Sequence, residues 1–210
     1  KIRQIFSDKL ISRTLCLKRK QRQSSHRHVC GIDPSGLGED EGCIAIFDTE
    51  DKSNVEMRDF IITKSTYTTD ITKRVLNLDA IYEFDKIYID DGGVGFGVYS
   101  ELLHNDSTKN RVVPMNNAKY SLDSKDEKER QSDKVIRYIH LLKMMERGEL
   151  KLLDDPQIRE SLKSCKFDKS EKSGKLLISS SYNHPAEAIS RGVWDAEKKD
   201  LKLSVSLIKT

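Results

Sequence analysis

The sequence predicts an α/β domain in which a central mixed β-sheet is flanked by helices on both faces. Three observations carry this. Three strand-like runs, 29–33, 43–47 and 55–63, follow one another with only turn-rich links between them. Helical and strand periodicities then alternate from residue 69 to Gly148. A last helical run, 185–198, bears an acid in its first turn. That order implies a mixed sheet covered on both sides.

Taken in order, Ile2, Ile5, Phe6, Leu10 and Ile11 predict a short amphipathic helix. Lys18 to His28 is polar and aperiodic, a connector. Residues 29–33 form the first strand, and Pro34 to Gly42 a loop rich in turn formers. Cys43 to Phe47 is apolar throughout, as a central strand would be. A turn at Asp51 to Asn54 leads into the third strand, Val55 to Thr63. Ile71, Val75, Leu78 and Ile81/Tyr82 recur at helical spacing, with Thr69 or Asp70 as N-cap. Lys86 to Asp90 is a fourth strand, and a glycine-crowded turn (Gly92, Gly93, Gly95, Gly97) opens the helix beginning at Val98. Arg111 to Met115 is a fifth strand. Val135, Ile139, Leu142 and Met145 mark a long helix that stops near Gly148. A short helix at Ile158 to Leu162, a strand at Lys175 to Ser180 and a helix from Pro185 to Lys198 complete the reading, with Trp194 on the inner face of the last. This is the ribonuclease-H-like order of elements.

The chain has 210 residues, enough for one large domain or one domain plus an arm. It opens on Lys, as a piece of a longer polypeptide would. No apolar run has the length to cross a bilayer, and no signal-peptide pattern stands out. Cys16, Cys30, Cys43 and Cys165 lack the paired spacing of a zinc site and read as reduced thiols. Charge is uneven. Residues 1–30 hold nine basic side chains against Asp8 alone, a local +8, and the rest of the chain carries −5. A basic arm on an acidic body suits phosphate contact by the arm and cation binding by the body. Lys18, Arg19, Lys20 and Arg22 are the candidate DNA contacts. A solvated linker would have the same composition.

Three acids sit where an apolar run meets a break: Asp33 before Pro34, Asp90 before Asp91-Gly92-Gly93, and Glu187 after Pro185. Each alone has an ordinary structural use, as a turn initiator or a helix-start acid. Together, if the strands ending at Asp33 and Asp90 are neighbours and Glu187 closes the set from a helix, they predict a site for two divalent cations, Mg²⁺ or Mn²⁺, doing phosphodiester hydrolysis. Oxygen ligation suits those ions better than zinc. Asp195, eight residues after Glu187, is the alternative third acid, and Asp91 and His184 are further candidates. Without metal, packed carboxylates should show raised pKa values and lower stability. The glycine-rich turn fits neither a P-loop nor a dinucleotide fingerprint and marks close backbone approach instead. The charged run 119–134 reads as a solvated loop.

At these residues the chain resembles the C-terminal nuclease domain of the large terminase subunit of tailed bacteriophages. Gly31-Ile32-Asp33-Pro34-Ser35-Gly36 with Gly38-Glu39-Asp40-Glu41 is similar to that family's first-strand motif. Ile89-Asp90-Asp91-Gly92-Gly93-Val94-Gly95-Phe96-Gly97 is similar to its second acidic motif. Lys175 to Ser181 and Pro185-Ala186-Glu187-Ala188 resemble its closing hairpin and acid-bearing helix, and Val113 to Asn116 and Glu146 to Leu150 are in keeping. The departure is at the third acid. The family has Asp in an Ala-Asp-Ala-like run after Ser-Pro-Asp, whereas Glu187 stands here after Asn183-His184-Pro185. The resemblance implies an endonuclease that cuts concatemeric double-stranded DNA, with residues 1–28 as basic arm or linker and 29–210 as nuclease domain. It also implies a packaging ATPase elsewhere in the same polypeptide, a portal or procapsid and a small terminase subunit as partners, and the cytoplasm of an infected or lysogenic host cell as location. The same acids would serve a resolvase, transposase or ribonuclease. A silent DNA-binding or assembly module could keep the fold, and a kinase- or actin-like nucleotide binder would bind ATP.

Overall fold

The computed structural model describes residues 3–18, 26–36, 41–64, 67–117, 132–170 and 174–196. A mixed seven-stranded sheet forms its centre, in the order β2-β8-β5-β4-β3-β6-β7. These strands are β2 (Leu15–Leu17), β3 (His28–Asp33), β4 (Glu41–Asp48), β5 (Val55–Lys64), β6 (Lys86–Ile89), β7 (Val112–Pro114) and β8 (Leu150–Leu153). Strands β3, β4 and β5 form an antiparallel meander, while β6 and β7 add in parallel beside β3 and β8 adds in parallel beside β5. The all-apolar run expected to be central lies in β4, the middle strand of the seven. A second sheet joins β1 (Arg3–Gln4), β9 (Lys166–Lys169) and β10 (Leu176–Ser179), with β9 in the middle.

Helices cover both faces. On one, α2 (Thr68–Tyr82) and α3 (Gly95–His104) bring Ile71, Val75, Val98 and Leu102 against Cys30, Ile32, Ile44, Ile46, Ile87 and Ile89. On the other, α1 (Asp8–Thr14), α4 (Asp133–Arg147), α5 (Pro156–Ser164) and α6 (His184–Gly192) cover Cys43, Ala45, Phe47, Met57 and Phe60. Alternation along β3 therefore sends Cys30 and Ile32 to the first face, and Gly31 and Asp33 to the second.

Helix ends follow local chemistry. The Ser132 hydroxyl accepts from the Val135 N–H at the start of α4, and Gly148 ends that helix with positive φ, as expected. Asp155 caps α5, whose first residue is Pro156. Helix α2 starts two to three residues earlier than expected, with Tyr67 and not Thr69 or Asp70 at its N-cap and no side-chain cap bond. Helix α6 stops at Gly192, short of the expected Lys198, and a 3₁₀ turn, Trp194–Ala196, follows. Trp194 is accordingly half-buried and not part of the core, its ring edge-on to His140 at 5.7 Å.

Residues 3–17 depart from the expectation of a basic arm. They supply β1, α1 and β2, and Ile5, Phe6, Ile11 and Leu15 are buried in the main core. Their apolar side chains decide this, and the basic groups between them stay at the surface. The basic residues Arg19, Lys20 and Arg22, most of the charged run 119–134, Gly38 to Asp40 and the expected helix tail at 197–198 lie outside the described residues. All four cysteines are free thiols, and among the described residues no helix is long and apolar enough to cross a membrane.

Candidate active site

Asp33 and Asp90 stand side by side because their strands are parallel neighbours in register. Ile32 pairs with Ile89, and the Asp90 N–H donates to the Ile32 carbonyl at 3.4 Å. Each acid is thus one step past the last pair between β3 and β6, on the face covered by α6. The turn after Asp90 is tight: the Gly92 N–H donates to an Asp90 carboxylate oxygen at 2.9 Å, and a Cβ on Gly95 would overlap the Asp90 carbonyl. That is the close approach expected of the glycine cluster.

Glu187, in the first turn of α6, is 1% exposed. What brings it together with the two aspartates is Arg191, one turn further along α6 and 0% exposed. Its Nη1 lies 2.8 Å from Oδ1 of Asp33, and its Nη2 lies 2.7 Å from Oδ2 of Asp90 and 3.4 Å from Oε2 of Glu187. One guanidinium therefore touches all three acids. Lys134 reaches Oε1 of Glu187 at 2.8 Å, the Tyr138 hydroxyl donates to the same oxygen at 3.0 Å, and Arg137 approaches Oε2 at 3.5 Å. Asn117 donates to Oδ2 of Asp90 at 3.0 Å and accepts from both Arg137 and Arg191. His184 Nδ1 sits 2.9 Å from Oδ2 of Asp33.

The electrostatics differ from those of a bare acid cluster. Burial pushes the Asp90 carboxyl up, and although Arg191 and the Gly92 N–H oppose it, the net direction is upward, as expected of metal-free acids. Glu187 moves the other way. Burial would raise it, but Arg191, Lys134 and Arg137 outweigh burial and hold it below the ordinary carboxylate range. The sequence-based expectation of uniformly raised acids fails at Glu187 because three cations converge on it.

The other sequence candidates are scattered. Asp195 lies beside Arg27, 3.8 Å away and ahead of β3, and hydrogen-bonds Tyr88, so it does not join Asp33 and Asp90. The eight-residue spacing from Glu187 would share a face only on a continuous helix, and α6 ends at Gly192, before the 3₁₀ turn that carries Asp195. Asp91 makes no ion pair with Arg191, and one of its oxygens is buried without a hydrogen-bond partner. Lys18 is exposed just past β2, with three strands between it and β3. Sequence reasoning missed Arg191, Lys134, Arg137, Tyr138 and Asn117. Only Arg191 had left a signal, as the i+4 partner of Glu187.

Three carboxylates directed at one point are the hard oxygen donors that Mg²⁺ or Mn²⁺ takes, so the donor set fits divalent ions. The point itself is filled by a guanidinium. As they stand, no three His, Cys, Asp or Glu side chains among the described residues are grouped to hold one ion.

The sheet order, the crossovers and acids at two adjacent strand ends define a ribonuclease-H-like fold. Among solved structures the chain is similar to the large terminase nuclease of thermophilic phage G20c with bound magnesium, at 15% identity and TM-score 0.70, covering 92% of this chain and 97% of that one. It is similar also to the large terminase nuclease domain of Thermus phage P74-26, at 15% identity and TM-score 0.66, covering 93% and 97%. The large terminase of bacteriophage HK97 matches at 8% identity and TM-score 0.63, with 92% of this chain covering 43% of that one. Other structures of the G20c nuclease hold cobalt or zinc. No family model and no curated protein matches the chain. The chain thus has the fold of the phage large-terminase nuclease domain.

Proposed function

We propose that this chain is the nuclease domain of a phage large terminase, an endodeoxyribonuclease that hydrolyses phosphodiester bonds in concatemeric double-stranded DNA. The observation that carries the reading is the convergence of Asp33, Asp90 and Glu187 on the single guanidinium of Arg191, at adjacent strand ends of a ribonuclease-H-like sheet. Asp33, Asp90 and Glu187 would hold the divalent ions, two Mg²⁺ or Mn²⁺. Bound there, such ions supply the activation of a water and the stabilisation of the leaving 3′ oxygen. Tyr138, Lys134 and Asn117 orient the acids, and His184 holds the second oxygen of Asp33. DNA would be held chiefly through its phosphates, so affinity should fall with salt. A packaging ATPase in the same longer polypeptide, a portal or procapsid, a small terminase subunit and the host cytoplasm complete the proposal. The likeness to the HK97 terminase, of which this chain covers 43%, supports the first of these.

The test is cleavage of supercoiled plasmid by the purified chain with Mn²⁺ or Mg²⁺, repeated with EDTA. Cleavage that stops with EDTA and in Asp33→Asn and Asp90→Asn supports the proposal, and cleavage that survives both substitutions overturns the site. A resolvase or transposase would share this metal dependence but prefer branched or end-specific substrates. One observation favours a second reading, a catalytically silent DNA-binding module: the point shared by the acids already holds a positive charge. DNA binding without cutting under any metal would select it.

A further inference from the structure

We infer that Arg191 is a resident counter-ion standing where Asp33, Asp90 and Glu187 would share a divalent cation, so that such an ion binds only as the guanidinium leaves. The inference rests on the proposed reading of these acids as a cation site. It goes further by naming the group that competes for them.

The first argument is which oxygens Arg191 takes. Oδ1 of Asp33, Oδ2 of Asp90 and Oε2 of Glu187 all face it. The remaining oxygens are engaged elsewhere: Oδ2 of Asp33 by His184, Oδ1 of Asp90 by the Gly92 N–H, and Oε1 of Glu187 by Lys134 and Tyr138. The oxygens that converge on a common point are the ones the guanidinium holds, with Asn117 also on Oδ2 of Asp90 and Arg137 also near Oε2 of Glu187.

The second argument is charge. Among the described residues, Arg191, Lys134 and Arg137 pair with Asp33, Asp90 and Glu187. Three cations against three carboxylates leave no net negative charge to draw in a further cation. Departure of Arg191 restores it.

The third argument is how Arg191 is anchored. Among the described residues its Nη atoms bond only these acids and Asn117, and its Nε is buried with no partner. Withdrawal therefore breaks the Asn117 contact and otherwise only contacts that an incoming ion would replace. Glu187 and Arg191 lie one turn apart on the same side of α6, so the guanidinium and the acid it would release are carried by one helix. Arg191 is thus a positioning residue. It holds the acids convergent without metal and sets the threshold for metal entry. Because both ligands use the same oxygens, the coupling is reciprocal.

The experiment is Mn²⁺ binding, followed by electron paramagnetic resonance of the free ion, together with melting in EDTA and in Mn²⁺, for wild type, Arg191→Met and Arg191→Lys. Arg191→Met is expected to bind Mn²⁺ at least about tenfold more tightly than wild type, to melt lower in EDTA, and to recover when Mn²⁺ is added. Arg191→Lys, which keeps the charge but cannot span three carboxylates, should fall between. Folding of Arg191→Met only in the presence of Mn²⁺ would support the inference equally. A folded Arg191→Met or Arg191→Lys with wild-type Mn²⁺ affinity overturns it. Asp33→Asn separates the two possible failures. Wild-type binding that depends on Asp33 but not on Arg191 overturns the counter-ion role alone. Absence of Mn²⁺ binding in every variant overturns the cation site, and this inference with it.

Discussion

Gly31 of β3 and Gly192 of α6 meet backbone to backbone. A Cβ at position 31 would overlap the carbonyl oxygen of Ala188 and the amide nitrogen of Gly192, and would lie 2.7 Å from the Gly192 Cα. Gly192 in turn leaves room for the ring of Phe47. This contact sets α6 directly on the sheet and brings Glu187 and Arg191 to the level of Asp33 and Asp90.

Gly31→Ala should therefore lift the helix. Overpacking a filled site costs about 1–3 kcal/mol, and a clash with backbone on both sides belongs at the upper end. Urea denaturation would show a lower midpoint with unchanged slope. An unchanged midpoint would mean that α6 can move away freely and does not fix the acids.

Tyr138→Phe removes the hydroxyl that donates to Oε1 of Glu187. Lys134 stays on that oxygen, so the carboxylate keeps one strong partner. A hydrogen bond to a charged group contributes about 1.5–3 kcal/mol, and the loss should sit near the lower figure. In the cleavage assay this variant should lose less activity than Glu187→Gln. Equal losses would give the hydroxyl a more direct part in the chemistry.

Away from the site, Asp48 ties β4 to β5 through Arg58, with the two side chains 2.5 Å apart, and His26 lies 2.6 Å from the same carboxylate. Burial raises the Asp48 carboxyl, but hydrogen bonds with His26, Arg58 and the Glu50 N–H outweigh it, and the net direction is down. A carboxyl depressed in the folded state stabilises the protein above its unfolded value of about 3.9, and that stability is lost as pH falls through the lower folded value. Asp48→Asn should flatten this acid limb in urea titrations from about pH 6 to about pH 2.5. A limb of unchanged steepness would assign the acid sensitivity to other groups.

Much of this architecture was legible in the chain. Strands β3, β4 and β6 announced themselves by apolar runs ended by Pro or Asp, and those same breaks marked Asp33 and Asp90. Four strands were not legible, although β6, β7 and β10, which are no longer than these, were. β1, β2, β8 and β9 are two to four residues long, too brief for a period to show, and β1 finds β9 across most of the sequence. Arg191 was hidden for a different reason. As an i+4 neighbour of Glu187 it looks like any surface helix pair, and only the seating of α6 on β3 and β6 turns it toward three acids at once. Asp195 shows the converse error, since its spacing from Glu187 assumed one continuous helix and α6 ends at Gly192.

The amino-terminal segment has a practical consequence. Strand β2 shields the flank of β8, and the Ile5 N–H is tied to the Cys165 carbonyl at 3.1 Å. A recombinant version trimmed to start at His28 would bare that flank, with its unsatisfied amides, and open an oily trough where Phe6 and Ile11 had been. Bare flanks of this kind recruit other chains, so the shortened protein should precipitate or self-associate during purification while the 210-residue form stays in solution.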